Sequence, residues 1–231
     1  MPTITDDEFG EITLRRSAKA SHVRIRIAPD GRLRASLPLY APVFLVKRLV
    51  KTSRAQLRAL IAEHQSGDSY DNGDQIGKSH TLIIRPVTSS AINVTHSGQQ
   101  ITVMLPDGKT LNDPDVARAV RKKIGEALRI EAKHYLPKRL AFLADKHGFD
   151  YDKVRFSHAS GRWGSCSSNG TISLNIALMK LPFELIDYVL VHELSHTVHM
   201  NHSETFWELV GLHDPDYKSH RRALKAETPS I

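Results

Sequence analysis

A single cysteine, Cys166, occurs in the 231 residues. That excludes an intramolecular disulfide and a zinc cluster held by several thiolates, and it suits a reducing compartment. No apolar run approaches the ~18 residues that span a bilayer, so no membrane partner is expected. The first residues, with Asp6, Asp7, Glu8 and Glu11, lack the basic start and apolar stretch of a secretory signal. A cytoplasmic enzyme is the resulting expectation. Aromatic residues are few, and two basic clusters (Arg15 to Arg34 and Arg118 to Arg139) lack the interleaved rings of a single-strand binding platform. The net charge of +7, 32 basic minus 25 acidic residues, favours an anionic partner in general but is equally a matter of solubility. Nucleic acid therefore remains an open partner without a specific signal. Oligomeric state is not encoded in any pattern here.

What the chain does have is a change of character near its middle. Residues 1–108 read as a β-rich region. Short strands are expected at Thr13 to Arg16, Val23 to Ile27, Leu33 to Leu37, Thr81 to Arg85, Ala91 to Thr95 and Gln100 to Leu105, with Pro29-Asp30-Gly31 as a hairpin turn. One helical stretch, about Pro42 to His64, interrupts them, and Ser66 to Lys78 reads as turns. Residues 109–231 read as a separate catalytic domain. A long helix should begin at Pro114, capped by Asp113, and stop at Gly148, with Pro137 kinking or splitting it. Two strands, Tyr151 to Ser157 and Thr171 to Asn175, should flank a glycine-rich loop at 161–170. A helix from Pro182 and two short ones from Ser203 and Pro215 complete an α+β chain.

The chemistry is concentrated in His192-Glu193-Leu194-Ser195-His196. Imidazoles four residues apart on a helix differ by about 40° around its axis, so both reach one metal ion. Glu193 points about 100° from His192, placed to address a water rather than the metal. The preceding run Leu185 to Val191 is mostly apolar, which argues for a buried helix, where two imidazoles and a glutamate are costly without partners. His202 follows, giving His-Glu-x-x-His-x5-His: three neutral ligands for Zn2+ and one open position. On a continuous helix His202 would lie about 15 Å beyond His192, so the helix must break, and Asn201 offers a left-handed residue for it. His199 is the rival third ligand, though a straight helix holds it about 10 Å from His192. Glu204 is a weaker one. Metzincin proteases share the three-histidine spacing but need a methionine turn downstream, and no methionine follows Met200.

Four segments carry a family resemblance: Arg162-Trp163-Gly164-Ser165-Cys166, Ile172-Ser173-Leu174-Asn175, Val191 to His196, and Asn201-His202-Ser203 with Phe206-Trp207. Together they resemble the YgjP-like zinc metallohydrolases, minimal zincins related to the SprT and WLM proteins. The resemblance implies helices packed on a small antiparallel sheet, zinc at His192, His196 and His202, Glu193 as base, and metallopeptidase activity. In the Trp163 loop, Arg162 and Ser165 are candidates to hold an anionic or carbonyl group of substrate, while Trp163 and the glycines serve equally as core and turns. A donor for charge on the attacked oxygen is also needed. Tyr217 is the first choice among His213, Tyr217, Arg221 and Arg222.

The expected reaction is hydrolysis. Glu193 takes a proton from a zinc-polarised water, the hydroxide attacks, and Glu193 returns the proton to the leaving group. The substrate is expected to be a peptide. Two other classes remain: a nucleotide phosphoanhydride hydrolase, which the positive charge and Arg162 would favour, and a nucleic-acid-associated protein with a structural zinc. Structural sites usually have four closed ligands and favour cysteine, which counts against the last.

Overall fold

Among the described residues the chain forms eleven short strands and six α-helices, and one strand pattern occurs twice. The structure, a computed structural model, describes residues 2–28, 32–66 and 70–231, without the side chains of residues 62–66. The chain divides into two compact units, Met1–Tyr70 with Thr110–Arg118, and Asp71–Lys109 with Ala119–Ile231. Strands 75 to 106, which composition alone groups with the N-terminal half, lie in the second unit.

In the first unit, β1 (Thr3–Asp6), β2 (Gly10–Arg16), β3 (Arg24–Ile27) and β4 (Leu33–Leu37) form a sheet ordered β1-β2-β4-β3. β4 alternates buried and half-buried residues, the period-two signature of a strand with one face on a core. Leu33, Ala35 and Leu37 join Ile12, Leu14, Val46, Val50 and Leu57 in that core. The expected hairpin turn at residues 29–31 lies outside the described residues, but β3 and β4 pair antiparallel on either side of it. The single expected helix is two, α1 (Phe44–Thr52) and α2 (Arg54–Ser66). They part at Ser53, whose N–H closes onto Leu49 and Val50.

The second unit begins with β5 (Gln75–Ile76), β6 (His80–Val87), β7 (Asn93–Ser97) and β8 (Gln100–Pro106), ordered β5-β6-β8-β7. This is the topology of the first sheet again: a hairpin, then a parallel central pair with an antiparallel edge strand. The helix α3 (Pro114–His147) follows. It begins at Pro114 and stops at Gly148, which takes the left-handed φ of 73° that favours glycine. Pro137 does not split it. Ala132, Leu136, Leu140, Leu143 and Ala144 continue one buried stripe past the proline, and Lys133, whose carbonyl loses its helical donor there, is exposed to water. Buried Glu131 on α3 accepts hydrogen bonds from Lys78 N (2.7 Å), Ser79 N (2.8 Å) and Ser79 Oγ (2.7 Å), and it pairs with His80 Nδ1 (2.6 Å). This clips the β5–β6 turn to the helix.

The third sheet positions the site. It contains β9 (Lys153–Ser157), β10 (Gly164–Cys166) and β11 (Thr171–Asn175), in the order β10-β11-β9. The antiparallel sheet implied by the resemblance is in fact mixed, because β9 runs parallel to β11 and only β10 runs against it. The cause is a crossing loop. The chain leaves β9, passes the end of the central strand and returns on the far edge, and Asn175 at that end holds the crossing in place. A 3₁₀ turn (Ile176–Lys180), α4 (Phe183–Ser195), α5 (Glu204–His213) and α6 (Tyr217–Leu224) complete the chain. The architecture is α+β with small mixed sheets. Among the described residues no helix is long and apolar enough to cross a membrane.

Candidate metal centre

α4 is buried almost all round. Leu185, Ile186, Tyr188, Val189, Leu190, Val191 and Leu194 are core residues, so polar side chains on it are enclosed by default. It begins after Pro182, whose carbonyl receives the N–H groups of Leu185 and Ile186. Arg139 on α3 grips Asp187 through Nε (2.7 Å) and Nη2 (2.5 Å), a two-pronged pair that fixes the helix along its length. The helix ends at His196, where Thr197 and His199 turn back onto the carbonyls of Leu194 and Ser195. Asn201 is not the left-handed residue expected there, since no described residue other than glycine has positive φ. Ser203 then starts α5 by accepting from Phe206 N (3.3 Å). The stop and restart return His202 to the end of α4.

The result is convergence. His192, His196 and His202 each offer a ring nitrogen, and these atoms all lie within 4.8 Å of one another. His202 Nε2 is 3.1 Å from His192 Nε2, close to the about 3.3 Å set by two zinc–nitrogen bonds in a tetrahedron. His196 Nδ1 lies 3.0 Å from the carbonyl of His199. A carbonyl only accepts, so this nitrogen carries the hydrogen and leaves Nε2 bare, as a metal ligand requires. Burial, then His196, His202 and Arg221, hold the His192 imidazole at a pKa of about 3. Burial also lowers that of His196. Neutral, converging nitrogens fit a divalent cation. His199, the rival ligand, contributes its backbone carbonyl instead.

Phe206 is a pedestal under all three rings. It is fully buried, stacked on His196 at 4.5 Å and edge-on to His192 and His202 at 5.0 and 4.9 Å. Trp207 stacks on His202 at 5.5 Å. Neither was legible as a support from spacing, although the i and i+1 aromatics after a Ser cap were visible.

Glu193 is 5% exposed. Its Oε2 is buried without a hydrogen-bond partner, a costly state that fits a site meant to receive water or substrate. Burial pushes its pKa up to about 8, against the opposing field of Arg162. The carboxylate lies directly over Gly164 on β10. A Cβ at Gly164 would sit 2.5 Å from Glu193 Oε1 and 2.7 Å from its Cγ. Nothing in a linear reading points to this contact, beyond the presence of a glycine in a strand.

Cys166 shares that strand face, and its thiol pKa is raised by burial and then by the charge of Glu193. Alternation along β10 turns Ser165 to the opposite face, so it does not join Glu193. Arg162 does come within electrostatic reach of Glu193. Tyr217 stacks on Trp207 at 5.7 Å, which places its ring one aromatic away from His202.

Asn175 organises the loop that carries Arg162. It is fully buried and donates through Nδ2 to Ala159 O (2.6 Å) and Arg162 O (2.9 Å), while Oδ1 accepts from Ala177 N (3.1 Å). Asn175→Ala leaves two carbonyls and one N–H unsatisfied, so a loss of at least about 2 kcal/mol is expected in urea unfolding. A loss below about 0.5 kcal/mol would show that the crossing loop does not depend on it.

No curated protein matches the chain. Among solved structures, the chain is similar to the metallopeptidase zymogen abylysin of Pyrococcus abyssi. The two are 28% identical over 39% of this chain and 92% of that one, with a TM-score of 0.36. A model of the YgjP-like metallopeptidase domain matches residues 21–227, nearly the whole length. The chain thus belongs to the YgjP-like metallopeptidase domain family and is a metal-dependent hydrolase by descent.

Proposed function

We propose that the protein is a zinc metallopeptidase in which Glu193 is the general base. The observation that carries this reading is the convergence of three histidine nitrogens within 4.8 Å beside the buried, unpartnered Oε2 of Glu193. His192, His196 and His202 would hold the ion. Zinc at such a site acidifies a water and polarises a carbonyl, and three protein ligands leave it the room to do so.

The protein's own groups supply the rest. Glu193 takes the water's proton on its carboxylate and gives it to the leaving amine as the C–N bond breaks. Its burial favours the protonated form, so it releases the proton readily only to a strong acceptor such as that amine. His199 holds His196 in one tautomer through its carbonyl, and Phe206 keeps the three rings from rotating apart. Arg162 offers a cation for a substrate carbonyl or carboxylate on the Glu193 side.

The test is a panel of casein, model peptides and nucleoside triphosphates incubated with zinc-loaded protein. Peptide cleavage is expected, with loss on chelation, return on adding zinc, and none in His196→Ala. Triphosphate hydrolysis without peptide cleavage would move the assignment to phosphoanhydrides. Cleavage that survives complete metal removal would end the metal-centre reading altogether.

A further inference from the structure

Arg221 lies near the candidate centre without a carboxylate to neutralise it. Arg139, which meets the same helix α4, has Asp187. Arg221 has no carboxylate within ion-pair distance among the described residues. Asp214, just before the same helix, is instead taken by His220 Nδ1 at 2.8 Å. What holds Arg221 is aromatic. Its guanidinium carbon lies 4.4 Å from the centre of the Trp207 ring. That ring stacks on His202 at 5.5 Å and lies 5.7 Å from His192. Tyr217, one helical turn earlier on α6, stacks on the same ring at 5.7 Å and 16°. The helix itself packs on α4. The Arg221 charge is felt at His192 and at Tyr188, both on α4.

An arginine laid on a tryptophan keeps its N–H donors in the ring plane's surroundings while its orientation is fixed, so little entropy is lost when an oxygen arrives. We propose that Arg221 donates to the oxygen that becomes negative when a substrate carbonyl is attacked, and that Tyr217 positions the Trp207 platform beneath it. This rests on the metallopeptidase reading above.

In that step the water oxygen bonds to the carbonyl carbon and its proton goes to Glu193. The carbonyl π pair moves onto oxygen, where the Arg221 N–H groups receive it. When the C–N bond breaks, the pair returns to the carbonyl and the amine takes the proton from Glu193. Arg221 forms no covalent bond and stays charged throughout. The first-choice donor from sequence, Tyr217, gives this role to the residue one turn later.

The experiment uses the full chain loaded with Co2+ in place of zinc, so that ligands at the open position are read from the visible d–d bands. Inorganic phosphate is the anionic probe and imidazole the neutral one. Arg221→Met is expected to raise the phosphate Kd about tenfold, the loss of one charge-assisted contact, and to leave the imidazole Kd unchanged. Arg221→Lys should recover part of the loss. Arg222→Met, a charge control on the same helix, should behave as wild type. On a cleaved peptide, Arg221→Met should lower kcat about a hundredfold with KM little changed.

A phosphate Kd within about twofold of wild type in Arg221→Met overturns the proposal, and so does an equal loss for imidazole. Loss in Tyr217→Phe alone returns the donor role to the tyrosine. These failures differ from failure of the metal-centre reading, in which wild type itself would show no cobalt bands lost on His196→Ala.

Discussion

Glu193→Gln in the zinc-loaded protein is expected to lower kcat by about 10³- to 10⁴-fold while zinc stoichiometry stays at the wild-type level. Gln fills the same space over Gly164 but has no basic oxygen. The three histidines are untouched, because the substitution changes only the carboxylate beside them. Retained turnover would remove Glu193 from the mechanism.

The same substitution has a signature in the metal-free protein that needs no substrate. There the Glu193 pKa is about 8 when folded, raised from 4.5 by burial. Between those values the folded chain keeps a proton that the unfolded chain releases, so stability falls as pH rises, and the contribution is full only below pH 4.5. His192 works in the opposite sense, with a folded pKa of about 3 against 6.5, its burial being the main cause. Below pH 6.5 the unfolded chain takes up a proton that the folded chain refuses, so acid removes stability. The two slopes oppose each other from pH 4.5 to 6.5. Above 6.5 the His192 contribution is complete, and Glu193 should cost the metal-free protein roughly 1.4 kcal/mol per pH unit until the pH nears 8. Glu193→Gln should abolish that slope. A flat profile in wild type over the same window would falsify the buried-carboxylate picture.

The parts of this site that were legible in sequence are the parts fixed by local periodicity. His192 and His196 follow from the helical repeat, and the buried helix follows from the apolar run before them. Pro114 and Gly148 mark the ends of α3 because their backbone restrictions act within one turn. What stayed hidden depends on residues far apart in the chain. β10 reads as a loop because three residues, one of them glycine, carry little strand signal, and only pairing with β11 makes them a strand. The mixed sheet was hidden because Asn175 acts on carbonyls 13 and 16 residues earlier. Pro137 does not split α3, because the packing of Leu136 and Leu140 outweighs a single missing hydrogen bond. Asn201 was misread for a related reason: the break after α4 is made by turns onto Leu194 and Ser195, with no left-handed residue required.

The contact between Gly164 and Glu193 gives the second large effect. Gly164→Ala would put a methyl group 2.5 Å from Oε1 and 2.8 Å from Cδ of Glu193. These are the far end of a flexible side chain, so the carboxylate swings aside more cheaply than the strand moves. The expected result is a fall in kcat of about a hundredfold, since misplacement of a catalytic group by about 1 Å has that scale. Metal content and melting temperature should change little, as the histidines and the β10–β11 pairing are kept. If the methyl acts through Glu193, the effects of the two substitutions do not add. Gly164→Ala in the Glu193→Gln background should then cost almost nothing further, because the group it displaces has already lost its function. Additive losses in the double variant would mean that Gly164 matters for substrate binding or for the strand itself. Gly164→Val extends the series: a larger side chain should deepen the kcat loss before it affects zinc binding, since the obstruction grows toward Glu193 rather than toward the metal ligands.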